Sequence, residues 1–63
     1  MANAQDVIMK DITGQMDKLR TKVVATSMAY IQNDYKTTCD GLTDIMYLCG
    51  QIQASAEFLR QSL

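Results

Sequence analysis

Apolar side chains recur along this chain at intervals of three and four. From residue 28 onward the series is Met28, Ile31, Tyr35, Thr38, Leu42, Ile45, Cys49, Ile52, Ala56, Leu59 and Leu63, with Thr38 as its only clear polar interruption. Such spacing lines side chains up on one stripe of an α-helix, and an apolar stripe requires another helix to cover it. An earlier series, Met9, Ile12, Met16, Leu19, Val23, Thr26 and Tyr30, has the same spacing in a register displaced by about one residue near Val23 and Val24. A helix absorbs such a step as a drift in heptad phase. Proline is absent and strand-like alternation is almost absent, so the expected fold class is all-α.

Local signals divide the series into two helices. Asn3-Ala4-Gln5-Asp6 has the form of an N-cap with an acidic residue in the first turn, which starts a helix near Ala4. The weakest helix-forming patch is Lys36-Thr37-Thr38-Cys39-Asp40-Gly41, where Thr37 or Thr38 can cap a second helix with Asp40 in its first turn. The sequence therefore predicts helix 1 over about 4–36, a turn over about 37–41 and helix 2 over about 42–62. The expected architecture is an antiparallel helical hairpin, coiled-coil-like in its spacing, that associates into a helical bundle. Because the heptad phase runs straight through the turn, the alternative is a single long helix of about 90 Å in a coiled coil.

A reversal near residues 38–39 sets Leu63 opposite Gly14 and leaves the first residues overhanging. Val7, Ile8, Met9 and Ile12 in that overhang form a candidate partner contact. On helix 2 the candidate interaction seam is Leu42, Ile45, Cys49, Ile52, Ala56 and Leu59, where small Cys49 and Ala56, beside Gly50, admit close helix approach. Met46, Leu48 and Phe58 lie off this stripe, so one seam does not cover all the apolar surface of helix 2. Two hairpins joined as a four-helix bundle would cover more of it.

Composition adds limits on chemistry. At 63 residues the chain is one domain at most, of a size at which a single core is marginal without a staple or a partner chain. Cys39 and Cys49 are ten residues apart, about 15 Å along one helix, too far for a disulfide, so both are read as reduced thiols. With no histidine in the sequence, Cys49 is read as a small buried hydrophobe, and the cysteines alone do not make a zinc site. Asp40 and Asp44 are read as acidic residues at a helix N-terminus. No catalytic residue, metal or cofactor is expected.

The net charge of −1 argues against binding polyanions by bulk charge. Lys18, Arg20 and Lys22 are the only basic cluster, interrupted by Asp17 and spread over more than one helix face. Tyr30, Tyr35 and Tyr47 have the chemistry to stack on bases, and an RNA- or DNA-binding hairpin dimer stands as an alternative. The uncharged stretches Val23–Asn33 and Ile45–Ala56 are too short and too polar to span a bilayer, and reduced thiols without a signal-peptide pattern point to the cytoplasm. The sequence predicts a non-enzymatic interaction module, an adaptor or co-chaperone, whose partner is itself or another helical protein. A structural subunit of a larger helical assembly or filament is the second expectation.

Overall fold

A computed structural model describes residues 3–63. Two helices of 28 residues each, α1 (Ala4–Ile31) and α2 (Tyr35–Ser62), pack against each other as an antiparallel hairpin measuring 47 × 19 × 11 Å. The hairpin, rather than the single long helix, is the architecture of this chain.

The start of α1 follows its sequence signal. Asn3 accepts a hydrogen bond from the Asp6 backbone N–H at 2.8 Å, while the Asp6 carboxylate accepts from the Asn3 N–H at 3.5 Å, closing a capping box. The reversal departs from it. The chain turns at Gln32-Asn33-Asp34, five residues before the start of the predicted turn, and Tyr35–Gly41 are helical. Asn33 takes a left-handed conformation (φ 61°), which asparagine tolerates better than most residues. Its N–H donates to the Tyr30 carbonyl at 3.0 Å, and the Asp34 N–H donates to the Ala29 carbonyl at 2.9 Å. These two bonds form a Schellman end that satisfies carbonyls left open by α1.

Asp34 then caps α2 by accepting from the Thr37 N–H at 3.2 Å. One residue thus closes the first helix and opens the second. The Tyr35 hydroxyl donates to Asn33 Oδ1 at 3.0 Å, bracing the same turn. None of Thr37, Thr38 and Asp40 is the N-cap, because the helix is already under way when it reaches them; Thr37 enters the cap only as the donor to Asp34.

The register follows from the turn. Gln5 Nε2 donates to the Ser62 carbonyl at 2.8 Å, so the free ends of the helices meet and no N-terminal overhang exists among the described residues. Ile8 and Ile12 are half-buried in the seam, while Val7 and Met9 are exposed. Every described residue that is buried or half-buried occupies a seat spaced three and four apart: 5, 8, 12, 15, 19, 22, 26 and 29 on α1, and 38, 41, 45, 48, 52, 55 and 59 on α2. The seats run through Val23 and Val24 without a step, so the expected phase drift does not occur in α1.

Burial is deepest near the turn, at Thr26, Ala29, Thr38 and Gly41. Gly41 is the close-approach glycine. A Cβ there would collide with the Thr26 hydroxyl and lie 3.0 Å from Thr26 Cβ and Cγ2. Gly50, expected to serve that purpose, faces open space. Thr26 and Thr38 satisfy their hydroxyls within their own helices, donating to the Lys22 and Asp34 carbonyls at 2.7 and 2.8 Å. Thr38, a polar interruption in the sequence pattern, is therefore one of the most buried side chains.

Candidate docking face

Each helix carries its apolar stripe to one side of the seam. On α1 the series begun at Met9 splits into two rows: Ile12, Leu19 and Thr26 occupy seats, whereas Met9, Met16, Val23 and Tyr30 stay exposed beside them. On α2, Thr38, Ile45, Ile52 and Leu59 occupy seats, whereas Tyr35, Leu42, Cys49 and Ala56 are exposed. In both helices the exposed row follows a seat by four residues, which rotates the centre of the apolar stripe about 50° away from the centre of the seam.

The remaining seats are filled differently. Gln5, Gln15, Lys22, Ala29, Gly41 and Ser55 are polar or small, with Ile8 and Leu48 as the aliphatic exceptions. Gln15 Oε1 is buried without a hydrogen-bond partner, while its amide donates to Asp11 at 2.8 Å. The hairpin therefore buries one apolar row from each helix and leaves the other in water.

Antiparallel pairing brings the two exposed rows onto the same face. Near the turn a shallow cleft is lined by Val23, Ser27, Tyr30 and Ile31 of α1 and by Leu42 and Ile45 of α2, with Thr26 and Thr38 at its floor. Tyr30, in its lining, packs against Tyr35 of α2, their ring centroids 6.4 Å apart and their planes inclined by 59°. Along the face the exposed α1 residues are between 41 % (Val23) and 63 % (Tyr30) accessible, and Leu42 on α2 is 50 % accessible. No Asp, Glu, Lys or Arg occurs in either row.

The opposite face is polar. Lys22 Nζ lies 3.2 Å from Asp44 Oδ2, and these two, with Thr37 and Asp40, line a shallow depression. Both partners are substantially exposed, so the pair adds at most about 1 kcal/mol. Lys22 sits in a seam seat and is engaged in this pair. At the free end Ala4, Ile8 and Phe58 form a smaller apolar depression on this side.

The predicted seam is thus divided. Ile45, Ile52 and Leu59 lie in the seam between α1 and α2, whereas Leu42, Cys49 and Ala56 lie outside it on the open face. Cys49 is exposed rather than buried, and Cys39 is exposed as well; neither is in a disulfide. Of the proposed N-terminal contact, Met9 belongs to the open face, Ile8 and Ile12 to the seam, and Val7 to the outer surface. Met16, Val23 and Tyr30, which their spacing predicts for a covered stripe, are members of the open face. Their i, i+7 recurrence is visible in the sequence, but a row beside a seam and a row within it have the same period.

No helix of the described residues is long and apolar enough to cross a membrane. No family model matches the chain, and no curated protein or solved structure matches it at a significant level.

Proposed function

We propose that this chain is a non-enzymatic protein–protein interaction module, an adaptor or co-chaperone that works by laying its open apolar face on another helical surface. The observation that carries this reading is the common offset of both apolar stripes to one side of the hairpin. An offset in one helix alone would leave a narrow stripe, whereas the shared offset produces a continuous two-helix face. Exposed apolar rows of this extent are costly in water and are characteristic of association surfaces.

The chemistry of the face supports docking over catalysis. It is shallow, carries no formal charge, and contains no histidine or carboxylate to activate the Cys49 thiol. Methionine at positions 9 and 16 adapts to the shape of an opposing helix. Recognition is of the helix-in-groove kind, in which side chains of a partner helix enter between two rows of an amphipathic pair.

Photo-cross-linking in the native cell tests the reading. With a benzophenone amino acid in place of Leu42, covalent protein adducts are expected, while the same probe in place of Thr43, on the outer side of α2, gives none. Equal yields from the two positions would overturn a docking role for this face.

A further inference from the structure

We propose that the occupant of the open face is a second copy of this chain, laid face to face with both turns at the same end, giving a four-helix bundle. This inference rests on the reading of that face as a docking surface and names its partner.

Area is the first argument. The chain exposes 4982 Å², whereas a compact monomer of 7.1 kDa exposes about 4,100 Å². The excess, about 900 Å², is close to the roughly 800 Å² that each partner contributes to a standard interface. It arises from the 11 Å thinness of the hairpin and from its uncovered rows, and pairing on this face removes both sources.

The second argument is fit. The register that sets Gln5 at Ser62 and Thr26 at Gly41 places each exposed α1 residue within about 3 Å, two residues of rise, of the level of an exposed α2 residue. A two-fold axis parallel to the helices carries α1 of one copy onto α2 of the other at those levels. Met9 then meets Ala56, Met16 meets Cys49 and Val23 meets Leu42 of the second copy, and the tyrosines gather at the turn end. Long side chains face short ones over the first two layers, which is how opposing helices interdigitate.

Charge is the third. Asp6 and Arg60 each follow a seam seat by one residue, so both stand on the margin of the open face at its free end. The proposed alignment brings Asp6 of one copy to Arg60 of the other, with opposite signs. Reversing one copy instead brings the two Arg20 side chains together near mid-height, with like signs. The surface is complementary to itself in one alignment.

Sedimentation equilibrium of the full chain, with disulfide trapping, tests both the partner and the alignment. The expected result is a discrete dimer that Leu42→Asp converts to monomer, at least a tenfold weakening, with helicity retained. In a Cys39→Ser background, Met16→Cys is expected to give an oxidised product of doubled mass linked from position 16 of one chain to Cys49 of the other. Val23→Cys with Leu42→Cys supplies an independent pair for the same linkage. A wild-type chain that remains a helical monomer at all concentrations would overturn the second-copy proposal. The docking role would still stand if the Leu42 probe captured a different protein. A dimer trapped through Cys49 to Cys49 would overturn the same-ended alignment alone.

Discussion

The turn end and the free end of the hairpin are built from opposite kinds of residue. At the turn Thr26, Ala29, Thr38 and Gly41 are small and buried; toward the free end Ile8, Ile12, Leu19, Ile45, Leu48, Ile52 and Leu59 are large and only half-buried. Two helices cover a side chain completely only where their backbones approach closely, and close approach requires small side chains. Large side chains hold the axes apart and are left open on their flanks until a further layer covers them. The hairpin is therefore fastened by geometry at one end and by incompletely covered apolar surface at the other.

The strongest way to break this contrast is a charge in the aliphatic half. Ile52→Asp places a carboxylate between two helices and is expected to cost at least about 3 kcal/mol, enough to unfold a chain of this size or abolish its assembly. Circular dichroism and sedimentation of that variant, against Thr43→Asp on the outer side of α2 as control, measure the effect. Wild-type helicity and mass in Ile52→Asp would remove Ile52 from the core.

Glycine substitutions compare the ends more finely. Gly41→Ala drives a methyl group into Thr26 and is expected to lower stability by about 1–3 kcal/mol despite the better helix propensity of alanine. Gly50→Ala meets open space and is expected to raise it by about 0.5–1 kcal/mol. Chemical denaturation of both variants should give opposite signs. Adding Thr26→Ala to Gly41→Ala should recover part of the loss, and simple additivity would show that the two positions do not touch.

The smallest expected effect concerns acid. The Thr37 hydroxyl, and second its backbone N–H, hold the Asp34 carboxyl below its ordinary value of 3.8; of the two, the N–H makes the hydrogen bond of ordinary geometry, at 3.2 Å. A carboxyl with a depressed folded pKa stabilises the fold above its unfolded pKa, and that contribution disappears as pH falls through the lower folded value. Acidification below about pH 4 should therefore loosen the turn in the wild type more than in Asp34→Ala. Melting temperatures of the two proteins across that range measure the difference.

Much of this contrast was present in the residues before the chain folded. The capping box at Asn3 and Asp6, the heptad recurrence and the helical character throughout follow from local spacing and bonding. The signal for the turn was also present, as an asparagine followed by an aspartate that can cap. It was outweighed by Thr37-Thr38 and Gly41, which look like helix breakers when no second helix is in view. Moving the reversal five residues toward the N-terminus shifts the pairing by about ten, because one arm shortens as the other lengthens. That shift closes the overhang and brings Ile8 and Ile12 into the seam.

The sequence by itself determined the helices, their apolar rows and the absence of charge from those rows, since each depends on residues a few positions apart. Tertiary structure decided which row of each helix is covered and which faces water. A row inside a seam and a row beside it share one period, and the packing of the two helices, closest where Gly41 meets Thr26, sets the rotation that separates them.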